Sequence, residues 1–118
     1  MTYTSIKSAV ADLGSEPERA FQTLIRQLEL PEPETQFVFD TGGRKWKLDF
    51  AWPYMTPMIA VEIHGGVHSR GRHVRGEGFT NDREKMNEAA LQGWIVLEFT
   101  TEMVTDGRAA AWMLRVFG

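Results

Sequence analysis

The chain has 118 residues, 42% of them apolar and 25% charged, with a formal net charge of −3. That length suits one compact domain with its own core, and the balance excludes a disordered chain. No apolar run approaches the roughly 20 residues of a membrane span, and with no cysteine there are no disulfides or thiolate metal sites.

Residues 4–13 predict a short helix with Ile6, Val10 and Leu13 on one stripe, ended by Gly14. Ser15-Glu16-Pro17-Glu18 is a capping box opening a second helix, whose buried stripe is Phe21, Leu24, Ile25 and Leu28. Pro31 and Pro33 stop it. Gln36–Asp40 reads as a short strand, and Asp40-Thr-Gly-Gly43 as a hairpin turn into a strand over 44–52. Pro53 to Pro57 is a connection, and 58–64 is the next strand.

Residues 65–79 form a glycine-rich loop, and Asn81–Leu91 a helix ended near Gly93. Trp94–Phe99 is an almost unbroken apolar run, as for a strand covered on both faces. Residues 107–117 are helical, with Ala109, Trp112, Met113 and Val116 on one stripe. The helix at 81–91 suits a crossover that sets the last strand parallel to a neighbour in a mixed sheet.

Charge is uneven along the chain. The formal balance is −4 over residues 1–40, +3 over 41–85 and −2 over 86–118. A local basic surface on an acidic protein attracts polyanions, although a mixed solvated surface has the same composition.

The basic middle third also carries two carboxylates on strand faces. Side chains alternate along a strand. In Lys45-Trp46-Lys47-Leu48-Asp49-Phe50, Trp46, Leu48 and Phe50 share one face, and Lys45, Lys47 and Asp49 the other. In Ile59-Ala60-Val61-Glu62-Ile63-His64, the isoleucines and Val61 point one way, Glu62 and His64 the other. Carboxylates on adjacent strands, with cations beside them, suit Mg²⁺ held against a phosphodiester. A carboxylate in a strand as apolar as that of Glu62 is costly unless paired or metal-bound. For Asp49 the alternative is a surface ion pair with a lysine.

Three histidines, His64, His68 and His73, fall within ten residues. They suit active-site or phosphate contacts, and a three-histidine zinc site is an alternative. The loop 65–79 carries Arg70, Arg72 and Arg75, suited to bidentate phosphate contacts, and it also reads as a simple solvated loop. Lys85, on the helix after it, is a candidate cation over the sheet, while Glu18 is weighed equally as helix cap and as ligand.

The segments Leu48-Asp49-Phe50-Ala51-Trp52-Pro53, Ala60-Val61-Glu62-Ile63-His64-Gly65-Gly66, His68, and Gly93-Trp94-Ile95-Val96-Leu97 come in this order. The set resembles the PD-(D/E)XK nuclease superfamily, and within it the small Vsr-like (very-short-patch-repair-like) phage and bacterial endonucleases, over roughly residues 15–105. The resemblance implies an α/β, restriction-endonuclease-like αβββαβ core filling the whole chain. It also implies Mg²⁺ or Mn²⁺ dependence and DNA cleavage in repair or recombination. Asp49 and Glu62 match the superfamily's two acids, the Ile63 carbonyl a further metal contact, and Glu18 the first-helix acid. His64 stands where the superfamily usually has lysine, which leaves Lys47, Lys85 or His68 to supply the polarising group.

The expected partner is branched or duplex DNA, held by Lys47, Arg70, Arg72, His73 and Arg75. A homodimer joined through Trp112, Met113 and Phe117 suits Holliday-junction or other branched-DNA cutting. No membrane partner is expected. The N-terminus lacks the pattern of a signal peptide, so the expected location is the cytoplasm of a bacterial or phage-infected cell. The alternatives are a catalytically inactive nucleic-acid-binding module on the same fold and a zinc protein using the histidine cluster.

Overall fold

The computed structural model describes residues 16–40, 42–65 and 76–118. The chain order is helix α1 (Glu16–Gln27), strands β1 (Glu34–Val38), β2 (Lys47–Trp52) and β3 (Ile59–His64), and helix α2 (Glu77–Leu91). Strand β4 (Ile95–Thr100) and helices α3 (Thr101–Asp106) and α4 (Arg108–Phe117) follow. The helix expected over 4–13 and the Ser15 cap lie outside the described residues.

The strands form one sheet in the order β1-β2-β3-β4. The pairs β1–β2 and β2–β3 are antiparallel, and β3–β4 is parallel across the α2 crossover, as the helical segment between them requires.

Apolar side chains on the two faces of the sheet build two cores. The first joins Phe21 and Ile25 of α1 to Phe50, Trp52, Ile59, Val61, Ile63 and Phe99 of the sheet, closed by Val104, Ala109 and Met113 from α3 and α4. Phe21 lies 4.9 Å from the Phe50 ring and 5.8 Å from that of Phe99, and this contact seats α1 on the sheet. The second core holds Phe39, Trp46, Leu48, Ala51, Ala60, Ala89 and Trp94. Ala51 and Ala60 are cross-strand partners. Their small side chains leave room for α2, through Ala89, and for the Trp94 indole. Trp46 and Leu48 therefore belong to a different cluster from Phe50. The expected alternation is broken once, between Leu48 and Phe50, at the level of the left-handed Gln36 (φ 49°) on β1.

Several boundaries differ from expectation. β1 starts at Glu34 and ends before Asp40, because the Asp40 carboxylate accepts the Gly42 and Arg44 N–H groups (3.2 and 2.8 Å) and closes the turn. α2 starts at Glu77, four residues earlier than its apolar pattern suggests. β4 packs on both faces as expected, with Leu97 and Phe99 in the first core and Val96 against the second. It is an edge strand with Ile95 and Glu98 exposed. The expected C-terminal helix is present as α4, and the short helix α3 precedes it, unforeseen from the apolar pattern. Thr100 caps α3 by accepting the Met103 N–H (3.3 Å), and the left-handed Gly107 separates α3 from α4.

Two residues expected at a dimer surface belong to this chain's own core. Met113 is fully buried, and Phe117 packs edge-on to Trp52 at 5.0 Å. Trp112 and Leu114 remain exposed on α4. Among the described residues no helix is long and apolar enough to cross a membrane.

Candidate active site

β2 and β3 separate where the two acids stand. Their ladder runs through Trp52–Ile59, Ala51–Ala60 and Phe50–Val61 and stops. The same register would next place Asp49 opposite Glu62. There, side chains replace the backbone ladder. Asp49 Oδ2 accepts the Ile63 N–H at 2.8 Å, and Glu62 Oε2 accepts the Asp49 N–H at 2.9 Å. The N–H and C=O of a strand residue lie on the same edge, so the Ile63 carbonyl also faces the opening.

The row continues on both sides. Glu62 pairs in register with Glu98 of β4. On the other side the β1–β2 register places Gln36 opposite Asp49, but the two do not form a ladder pair. Gln36 has a left-handed backbone (φ 49°) between Thr35, which pairs with Phe50, and Phe37, which pairs with Leu48. Gln36, Asp49, Glu62 and Glu98 thus stand at one level across the sheet.

Glu62 is the most buried of the site's acids, at 4% exposure. Burial pushes its pKa up to about 7, and the nearby Asp49 charge adds to this. The Lys85 ammonium and the Asp49 N–H pull the other way. Lys85 reaches from α2 to ion-pair with Glu62 Oε1. With Oε2 on the Asp49 N–H, both Glu62 oxygens have protein partners.

Above the row lies an open cleft of about 910 Å³, lined by Asp49, His64, Glu98, Gln36 and Thr100, the cations Lys45, Lys47, Arg83 and Lys85, and Phe79. His64 Nε2 donates to Glu98 Oε1 at 2.9 Å, so the histidine is tied to β4. Arg83 pairs with Asp82 and lies over the Phe79 ring. Glu18, in the first turn of α1, accepts from Gln36 Nε2 at 3.0 Å. Gly65 lets α1 approach this closely, since a Cβ there would meet Pro17 Cγ at 2.7 Å.

Among the expected site residues, the structure brings together Asp49, Glu62, the Ile63 backbone and Lys85. His64 and Lys47 line the same cleft, and Glu18 reaches it through Gln36. His68, Arg70, Arg72, His73 and Arg75 lie outside the described residues, so the three-histidine arrangement does too. Among the described residues no group of three or more His, Cys, Asp or Glu is arranged to hold a metal ion. Sequence reading missed Gln36 and Glu98. Glu98 had a usable signal, an acid inside the apolar run Val96-Leu97-Glu98-Phe99, the same signature that marks Glu62. Gln36 had none, because its significance is a backbone angle.

The donor set suits a divalent cation. Asp49 and Glu62 are both carboxylates, hard oxygen ligands, and their mutual repulsion is relieved by positive charge between them. Of the four oxygens of Asp49 and Glu62, only Asp49 Oδ1 is without a protein hydrogen bond among the described residues, and Glu62 Oε1 would be open to a cation only with Lys85 moved aside. No protein-family model, curated protein or solved structure matches the chain.

Proposed function

We propose that this protein is a divalent-metal-dependent DNA endonuclease with a restriction-endonuclease-like core of the PD-(D/E)XK, Vsr-like kind. The observation that carries the reading is the arrangement of Asp49, Glu62 and Lys85, two carboxylates and an ammonium at the open end of two strands. It stands beneath a cleft whose wall carries Lys45, Lys47 and Arg83.

Asp49, Glu62 and the Ile63 carbonyl would hold Mg²⁺ or Mn²⁺. When bound, such a cation supplies an attacking water of lowered pKa and neutralises charge on the phosphate. Lys85, displaced from Glu62, stays within reach of the same phosphate and takes the place of the lysine that His64 lacks. Lys45 and Lys47 bind the nucleic-acid backbone, which positions the substrate without reading its sequence. Branched DNA is the favoured substrate, because lysine contacts of this kind hold the backbone and leave base sequence unread.

A second reading, a nucleic-acid-binding module without catalysis, is favoured by one observation. Both Glu62 oxygens are already engaged within the protein.

Labelled single-stranded, duplex, flap and four-way-junction DNA, incubated with Mg²⁺, Mn²⁺ or EDTA, separates the two. Metal-dependent products that vanish in Asp49→Ala and Glu62→Ala are expected. DNA binding without cleavage in any metal would replace the nuclease by the binding module.

A further inference from the structure

Among the described residues, Gln36 is the one inside a strand with a left-handed backbone, and two other non-glycine residues have positive φ, Glu29 and Lys45. Glu29 follows the end of α1, where a left-handed residue is ordinary, and Lys45 lies in the turn before β2. Gln36 lies in no turn, and it stands at the level where β2 changes face, from Leu48 in the second core to Phe50 in the first. The register is the same on both sides of it, so no residue is inserted and no bulge explains it. Its conformation costs free energy and the ladder pair with Asp49. Strain of this kind persists where the surroundings impose it, typically at functional sites.

The distorted backbone leaves Gln36 on the cleft wall, opposite Asp49 in register, with its carboxamide donating to Glu18 Oε2 at 3.0 Å. Glu18 comes from a different layer of the fold, and the Gln36 carboxamide links it to the acidic row. We propose that Gln36 is a positioning residue, which holds the Glu18 carboxylate at the Asp49 end of the row and thereby raises the row's affinity for a divalent cation. The inference rests on the metal-site reading above. Mg²⁺ keeps several of its waters when protein-bound, and through such waters a carboxylate that is not itself a ligand acts on the ion. Outer partners of this kind change metal affinity by about 10- to 100-fold.

The strain gives the test two readouts that move in opposite directions. Glycine accepts positive φ at no steric cost. Gln36→Gly is therefore expected to melt at the wild-type temperature or above it while binding Mn²⁺ at least about tenfold more weakly by calorimetry. Glu18→Gln should lose about as much, and the double variant no more than either single one, since the two act as one unit. Gln36→Asn, which tolerates the backbone but shortens the side chain, checks that the carboxamide's reach matters. A Gln36→Gly protein that melts lower with unchanged Mn²⁺ affinity would show a merely structural residue, and additive losses would show that Gln36 and Glu18 act separately. If Asp49→Ala leaves Mn²⁺ binding intact, the metal site itself is elsewhere. That outcome is distinct from one in which Asp49→Ala abolishes binding and Gln36→Gly does not alter it.

Discussion

Asp49 and Glu62 hold each other's strands. The Asp49 carboxylate accepts an N–H from β3, and the Glu62 carboxylate accepts the Asp49 N–H from β2. The acids thus substitute for the backbone pairing that ends at Phe50–Val61. The same carboxylates that would hold a metal also keep the strand ends joined without one.

Isosteric and truncating substitutions at Asp49 should therefore differ. Asp49→Asn keeps an oxygen for the Ile63 N–H and removes the charge that raises the Glu62 pKa. It should unfold in urea at or above the wild-type midpoint while losing metal-dependent cleavage. Asp49→Ala leaves that N–H without its acceptor and should cost about 1–3 kcal/mol.

Glu62 makes stability depend on pH in an unusual direction for a carboxylate. Its folded pKa, about 7, lies above the ordinary value of 4.5 for a glutamate. Between those values the folded state binds more protons than the unfolded state, so stability falls as pH rises. The contribution is fully present below about pH 4.5 and is lost by pH 8, a change of about 3 kcal/mol. Urea titrations in EDTA from pH 5 to pH 8 should show the decline, and Glu62→Gln should flatten it. A wild-type stability that rises across this window would contradict the assignment.

Lys85 is the one cation paired with Glu62 among the described residues. Lys85→Met removes the charge that holds the Glu62 pKa down, so at pH 8 the carboxyl must stay buried without its partner or take up a proton, a loss of at most about 3–5 kcal/mol. Below pH 6 Glu62 takes up a proton and the loss should shrink. Added Mg²⁺ should restore melting temperature in this variant more than in wild type, because the ion then meets no resident ammonium. Thermal melts at both pH values with and without Mg²⁺ check this. An equal Mg²⁺ effect in both proteins would count against metal and lysine sharing Glu62.

Gly65 sets how near α1 comes to the site. Gly65→Ala drives a methyl group against the rigid Pro17 ring and Thr101 Oγ1. Overpacking of this kind costs about 1–3 kcal/mol, and the displaced α1 should carry Glu18 away from Gln36. Calorimetry should show weaker Mn²⁺ binding alongside the lower melting temperature. Unchanged affinity in a destabilised protein would detach α1 from the site.

Local pattern alone made much of this molecule legible. The α1 stripe, the three-strand run and the crossover to a parallel β4 follow from the period of the apolar residues. Asp49 and Glu62 stood out because each breaks such a pattern with a charge. What pattern cannot supply is register and backbone angle. Only the assembled sheet aligned Gln36, Asp49, Glu62 and Glu98 in one row, since that alignment depends on how strands far apart in the chain are staggered. Only packing chose Lys85 over Lys47 or His64 as the partner of Glu62, because α2 lands on that face through Ala89 over Ala51 and Ala60. The edge position of β4 likewise came from strand order, which its apolar sequence does not encode. Side-chain type is written residue by residue, but which charges meet is decided by the free energy of the whole packed chain.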